Sequence, residues 1–387
     1  MTPDYLSQAA CLRDTLANLR AAFHAEPELG NREFKTAARI EQTLRALGVE
    51  TQRVTETAIV GTLRGGQAGP TVALRADMDA LPVQEATGAA FASRVPGVMH
   101  ACGHDVHITA ALGAAMLLSR RRETLPGTVR FLFQPDEEGD GGAERMIAAG
   151  CLKGVKAVFG AHVTPELPAG EVAFRYGKFY AASDMLRITV RGRGAHGAER
   201  EKGVDALGAA AKLVTLLLAL PERFPTERSV VSIGSLHAGS AGNILADTAV
   251  LKGILRTLGQ DSREKMNALV YETCRAVEAE TGAKIDCSII ASYPGIVNHD
   301  APTAAAEQAA RALLGADRVR RIDAPTMKTE DFGYYLLEKP GTYYHVGAGC
   351  SVPLHNAAFL PTTDCVVTAA ATNAAVLHSY LVTHSAR

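Results

Sequence analysis

The residues best suited to chemistry crowd into one stretch, His100-Ala101-Cys102-Gly103-His104-Asp105-Val106-His107. Cys102 and His104 stand two apart, so an extended turn can point both side chains to one side. A thiolate beside an imidazole suits zinc or another first-row metal. The plainer alternative is a buried, apolar-behaving Cys102 next to a helix-capping His104, and the motif alone leaves both open. His100 and His107 read as structural neighbours. A second cluster, Phe133-Gln134-Pro135-Asp136-Glu137-Glu138-Gly139, follows an apolar run. Adjacent carboxylates at a strand end point in different directions, so one can ligate a metal while the other takes a proton from water. A solvated acidic turn competes with that. His162 follows Ala157-Val158-Phe159-Gly160-Ala161, and His355 follows a glycine-containing turn beginning at Gly347. Each alone reads as an ordinary structural histidine. With Cys102, His104 and Glu138 they make five donors, enough for two metals sharing one of them. Asp79, in Arg75-Ala76-Asp77-Met78-Asp79-Ala80-Leu81-Pro82, can orient a ligand as outer carboxylates do, with pairing to Arg75 the competing role.

The elements that must position these residues follow from periodicity. Leu6, Leu12, Leu16, Leu19 and Phe23 recur at helical spacing, and a second helix is expected over 36–47. Short apolar runs at 71–74, 129–133 and 155–160 read as strands, with a long Ala/Leu-rich helix over 104–120 between the first two. This alternation predicts an α/β domain with a mostly parallel sheet. From about Ser183 the order becomes strand, helix, strand, strand, helix, strand, that of a ferredoxin-like βαββαβ unit. After Pro294 the α/β texture returns, with a helix over 302–314, a strand over 343–346 and a closing helix over 363–380. The expectation is a catalytic, metal-binding domain in two parts, 1–182 and 294–387, with a smaller α+β domain, 183–293, inserted between them.

Composition narrows the class. With 387 residues, 47% apolar and 21% charged, the chain can bury a large core, which excludes disorder and a disulfide-stapled miniprotein. Forty Lys+Arg against 41 Asp+Glu leave no basic stripe for nucleic acid or an anionic membrane. The longest strongly apolar run, near Leu213, is expected to be too short to span a bilayer, and the first residues lack the pattern of a signal peptide. Seven scattered cysteines favour a reducing compartment, so a cytoplasmic protein is expected.

Three phrases now gain weight together: Leu74-Arg75-Ala76-Asp77-Met78-Asp79-Ala80-Leu81-Pro82, Met99-His100-Ala101-Cys102-Gly103-His104-Asp105 and the Glu137-Glu138 segment. They resemble those of the hippurate hydrolase and indole-acetyl-amino-acid hydrolase family, a branch of the binuclear metallopeptidases that includes aminoacylase and carboxypeptidase G. The similarity runs from Phe23-His24-Ala25-Glu26-Pro27-Glu28-Leu29-Gly30 to Pro353-Leu354-His355-Asn356 and takes in Thr329-Glu330-Asp331-Phe332-Gly333. It implies two divalent ions, manganese or zinc with cobalt or nickel admitted, held by Cys102, His104, Glu138, His162 and His355. Glu137 is then the general base. The resemblance also implies that His196, in Gly192-Arg193-Gly194-Ala195-His196-Gly197, reaches the scissile carbonyl, in its own subunit or its partner's. Asn243 and Arg256 are implied to grip the substrate end, where an arginine suits a carboxylate. The chain departs from the wider group in having Cys102 for a bridging aspartate, Asp77 for a histidine and Arg200-Glu201 for a common Pro-His. The implied activity is hydrolysis of small-molecule N-acyl amino acids by a homodimer joined through the inserted domain. A dipeptidase or carboxypeptidase with the same centre is one alternative, and a non-catalytic metal-binding protein another. Neither the acyl group nor the physiological metal is legible.

Overall fold

A computed structural model describes residues 3–224 and 227–385; the outermost residues of the expected first and last segments lie outside them. The chain divides into two compact units. The first comprises the chain up to Gly177, Asn298–Asp323 and the chain from Asp331 onward; the second comprises Lys178–Val297 and Ala324–Glu330. The second unit thus begins ahead of Ser183 and includes a short return that periodicity does not reveal.

In chain order the strands of the first unit are β1 (Glu50–Arg53), β2 (Ile59–Arg64), β3 (Gln67–Asp77), β4 (Pro126–Gln134), β5 (Val155–Thr164) and β6 (Val172–Phe174). A two-stranded ribbon pairs β7 (Gly177–Tyr180) with a later strand. The second unit holds β8 (Ala182–Arg191), β9 (Val230–Ala238), β10 (Thr248–Thr257) and β11 (Lys284–Ala291). The ribbon's partner is β12 (Ile296–Asn298), and β13 (Val319–Arg321) and β14 (Gly341–Gly347) complete the set.

The eight-stranded sheet has the order β1-β2-β4-β3-β5-β14-β6-β13. Its centre, β4-β3-β5-β14, is parallel throughout. That centre is built from near-continuous apolar runs, as strands covered on both faces must be. The antiparallel β1–β2 hairpin at one edge has no counterpart in the sequence reading, because Glu50–Arg53 is a polar, largely exposed strand without an apolar alternation. Two helices, His104–Ser119 and Thr363–Ser385, are buried along most of their length. Gly113 lets them meet: a Cβ there would lie 2.7 Å from the Ala370 Cβ. Each fully buried aliphatic side chain in this core contributes about 1.5–3 kcal/mol. The helix Thr363–Ser385 is long and apolar enough to cross a membrane by composition, so the run near Leu213 is not the longest apolar one as expected; small residues such as Ala and Thr dilute the signal at 363–385. However, 83% of its apolar window is buried, so that surface is spent on the core.

In the second unit the antiparallel sheet has the order β11-β8-β10-β9, the ferredoxin-like arrangement. Helices Ala206–Leu218 and Gln260–Thr281 contribute Leu213, Leu217, Met266 and Val270 to a core with Leu186, Ile188, Val190 and Leu251. Leu186, Ile188 and Val190 alternate with outward-facing residues along β8, which explains a sheet covered on one face. The first helix starts where Asp205 accepts a hydrogen bond from the Gly208 N–H at 3.0 Å.

Candidate metal centre

The carboxyl ends of the four central strands deliver the candidate residues, the usual place for function in an open α/β sheet. Asp79 lies just past β3, Glu137 and Glu138 just past β4, and His355 in the segment after β14. His162 is inside β5, which continues to Thr164 rather than ending before it. Cys102 and His104 flank Gly103, whose φ of 87° opens the helix His104–Ser119. A Cβ on Gly103 would also fall 2.5 Å from a methyl carbon of Val163, so only glycine allows this turn. The His355 N–H donates to the Ala101 carbonyl at 2.8 Å, tying the far end of the chain to the Cys102 loop.

Cys102 lies at the meeting point of two donor groups, one with His104 and His162, the other with Glu138 and His355. Within each group the donor atoms lie within 4.8 Å of one another. The Cys102 Sγ is 3.4 Å from His162 Nε2 and 3.3 Å from His355 Nε2. Glu138 Oε1 is 3.1 Å from His355 Nε2 and 3.9 Å from His104 Nε2. Glu137 joins His104 and Glu138 in a further cluster of the same span.

The rest of each side chain is committed, which leaves these atoms to converge. His104 Nδ1 donates to the Asp79 carbonyl at 2.9 Å, and His162 Nδ1 donates to the Val163 carbonyl at 2.6 Å. Each imidazole therefore turns Nε2 inward, the orientation expected of metal-ligating histidines. Asp79 also takes the Glu138 N–H on Oδ2 at 3.0 Å, so it touches two of the candidate ligands. Among the described residues, the buried His104 Nε2 and Glu138 Oε1 have no hydrogen-bond partner, the 3.1 Å approach of His355 lacking hydrogen-bond geometry. Orphaned buried polar atoms of this kind need an explanation.

The electrostatics point the same way. Burial works against a charged His104, yet Asp77, Asp79 and Glu138 overcome it and hold its pKa up at about 10. Burial, then Glu138 and Glu137, push the Cys102 thiol well up. Burial, with His107 beside it, pushes His162 well down, keeping its imidazole neutral. Carboxylates thus favour positive charge at this point, and a thiol, three imidazoles and a carboxylate have the donor chemistry that divalent cations take.

The neighbouring donors are engaged elsewhere or lie outside the groups that share Cys102. Asp77 accepts from Arg75 on one oxygen and from His107 Nδ1 on the other at 2.6 Å. His107 Nε2 accepts the Val163 N–H at 3.0 Å, so both its nitrogens are used. Asp136, with a φ of 58°, turns its carboxylate to Asn31 and Arg145, at 2.6 and 3.0 Å. His100 is buried with neither ring nitrogen hydrogen-bonded, yet it lies outside the donor groups, so an orphaned nitrogen marks a ligand only where other donors converge on it.

The second unit carries the other expected residues. His196 and Asn243 are exposed neighbours: His196 bridges to Ile244, and the Gly197 N–H donates to the Asn243 carbonyl at 2.8 Å. The His196 Nδ1 accepts the Ala198 N–H at 3.2 Å, leaving Nε2 to project. Arg256 lies near the end of β10 and donates to Ser183 Oγ. Arg200 is paired with Asp205 at 2.9 Å.

A buried layer beneath the loops escaped the sequence reading as function: Arg75, Gln134 and Asp331 are joined by hydrogen bonds, although Asp331 is far from the others in sequence. The Thr329-Glu330-Asp331-Phe332-Gly333 phrase was the available signal, but it names no partner.

Known proteins share this architecture. A family profile described as peptidase family M20/M25/M40 matches residues 73–379. The N-acyl-L-amino acid amidohydrolase of Geobacillus stearothermophilus is 39% identical over 285 residues, 73% of this chain and 77% of that protein. Thermostable carboxypeptidase 1 of Saccharolobus solfataricus is 36% identical over 365 residues, covering 91% of this chain and 92% of that one. The crystal structure of the Bacillus subtilis YXEP protein, described as a dinuclear metal binding peptidase from the M20 family, aligns with a TM-score of 0.88 at 32% identity. That alignment covers 97% of this chain and 99% of the other.

Proposed function

The chain belongs to peptidase family M20/M25/M40 and is a metal-dependent hydrolase of amide bonds, and from that premise we propose that it splits N-acyl amino acids into a carboxylic acid and a free amino acid. The observation that carries this reading is Glu137 set beside two donor groups that share Cys102. Two divalent cations, manganese or zinc, held by Cys102, His104, Glu138, His162 and His355 would supply Lewis acidity toward the amide carbonyl and lower the pKa of a water. Glu137 takes a proton from the water whose oxygen bonds to the carbonyl carbon. As the C–N bond breaks, it returns that proton to the departing amine nitrogen. Asp79 orients His104 through its carbonyl and Glu138 through its carboxylate. His196 Nε2 donates to the developing oxyanion, from its own subunit or its partner's. Arg256 grips the carboxylate of the amino-acid half through paired N–H bonds, with Asn243 holding the same end.

A homodimer joined through the second unit accompanies this reading. Leu207, Leu216 and Leu218 on one helix and Leu236 on the edge strand β9 are exposed, and apolar exposure beside an open edge favours association. A reducing, cytoplasmic setting accords with seven free cysteines.

The test is amine release from a panel of N-acyl amino acids and free dipeptides. Metal-stripped protein is assayed before and after adding manganese or zinc, with Glu137→Gln as control. Release from one acyl class that requires both metal and Glu137 is expected. Cleavage of peptides alone would move the assignment to a carboxypeptidase, the activity named for the Saccharolobus relative. Near-normal turnover by Glu137→Gln would sink the assigned base.

A further inference from the structure

The segment that carries Glu137 and Glu138 is pinned at both ends by one carboxylate. Asp331 is the residue at which the chain re-enters the first unit, and it is fully buried. At the near end of the segment, the Gln134 amide Nε2 donates to Asp331 Oδ1 at 2.9 Å and to Oδ2 at 2.7 Å. At the far end, the backbone N–H groups of Gly142 and Ala143 donate to Oδ2 at 3.0 and 3.1 Å. Arg75 closes the ring, donating to Asp331 Oδ1 at 2.7 Å and to Gln134 Oε1 at 2.9 Å.

Between these ends the backbone takes left-handed conformations at Asp136 and Gly141, with φ of 58° and 87°. A non-glycine residue holds such a conformation only where its surroundings over-determine it. The loop closes tightly, since a Cβ on Gly142 would lie 2.0 Å from the Pro135 carbonyl oxygen. Inside the closed loop, a carboxylate oxygen of Glu137 comes within 4.8 Å of one of Asp331.

We propose that Asp331 is the positioning residue for Glu137: by fixing both ends of the 134–143 segment, it sets where the Glu137 carboxylate meets the reacting water. This rests on the reading of Glu137 as proton acceptor. Asp331 acts through the backbone of the loop, so its loss should slow chemistry and leave substrate affinity in place; Glu138 in the same loop is held independently by Asp79, which accepts its N–H at 3.0 Å, so metal content should also stay. A misplacement of a reacting group by about 1 Å is enough to cost about 100-fold in rate.

Asp331→Asn keeps the volume but turns an amide N–H toward groups that are themselves donors. With the N-acyl amino acid turned over fastest in the panel, kcat should fall about 100-fold while KM stays within about threefold. Bound metal per subunit should be unchanged. The discriminating measurement is the double variant with Glu137→Gln, followed by single turnover at enzyme excess so that slow variants are read. Residues acting as a unit are non-additive, so the double variant should be no slower than Glu137→Gln alone. Unchanged kcat, lost metal, a rise in KM alone, or a further loss in the double variant would each overturn the proposal. Should Asp331→Asn fail to fold, Gln134→Met takes its place in the same cycle, freeing the near end only. It should cost about tenfold, again with no further loss on top of Glu137→Gln, and either full activity or an additive loss refutes the positioning role. Normal turnover by Glu137→Gln alone would instead defeat the reading of Glu137, which separates the two failures.

Discussion

Glu33→Gln should stabilise the protein above neutrality and leave it unchanged in acid. Glu33 precedes the helix Phe34–Ala46 and is fully buried, with Oε1 accepting the N–H groups of Asn31 and Asp136 at 3.0 Å each. Burial is the main reason its carboxyl is pushed from the usual 4.5 up to about 7; the charge of Asp79 adds to this, while hydrogen bonds from backbone N–H groups oppose it. The folded state therefore holds this proton more tightly than the unfolded state does. The stability it confers is complete below the unfolded value of 4.5 and is lost as pH rises through about 7. At about 1.4 kcal/mol for each tenfold change in proton affinity, the difference is of the order of 3 kcal/mol. Glutamine keeps an oxygen for the two N–H donors and never ionises. Urea unfolding of both proteins, metal-stripped, at pH about 4 and about 8.5 isolates the effect. The variant should match the wild type in acid and exceed it by up to ~3 kcal/mol in base. An equal difference at both pH values would refute the assignment of a proton-binding Glu33.

Further outcomes follow from other parts of the structure. Chelation should abolish amide hydrolysis and lower the Tm, with both restored by adding the metal back, because a cation bound only by the folded state stabilises it; an unchanged Tm would count against the proposed ligands. Asp79→Ala should weaken metal binding about 10–100-fold in competition with a chromophoric chelator, since it removes the carboxylate that accepts the Glu138 N–H and lies 3.3 Å from His104 Nδ1, while the backbone carbonyl that takes the His104 N–H stays. Arg256→Met should raise KM about 10–100-fold for substrates with a free carboxylate, the cost of losing charge-assisted hydrogen bonds, and an unchanged KM would remove Arg256 from the site. Gly113→Ala should lower the Tm despite the better helix propensity of alanine, because the added Cβ meets Ala370 at 2.7 Å and Leu16 at 2.9 Å; a higher Tm would show that the helices can separate freely.

Much of this protein is local in origin and so legible in the chain. Apolar runs such as Val129-Arg130-Phe131-Leu132-Phe133 can satisfy themselves only as buried strands, and the alternation of Leu186, Ile188 and Val190 can serve only a sheet covered on one face. Cys102, His104, Glu137 and Glu138 announce themselves because they sit in compact phrases next to such strands. The polar edge strand Glu50–Arg53 carries no pattern of that kind. The buried helix Thr363–Ser385 has a composition shared with membrane spans, and only its packing distinguishes the two.

What the tertiary structure decided is which lone pairs remain unspent. His107 has the chemistry of a ligand, but Asp77 and the Val163 N–H take both its nitrogens; His104 and Glu138 keep unsatisfied atoms that converge with the donors of Cys102, His162 and His355. Gln134 and Asp331 meet across 197 positions of the chain, a pairing that no local pattern encodes. Residue type limits what a side chain is able to do. Whether it is still available to do it depends on hydrogen-bond partners supplied by distant strands, and those partners exist only once the sheet has formed.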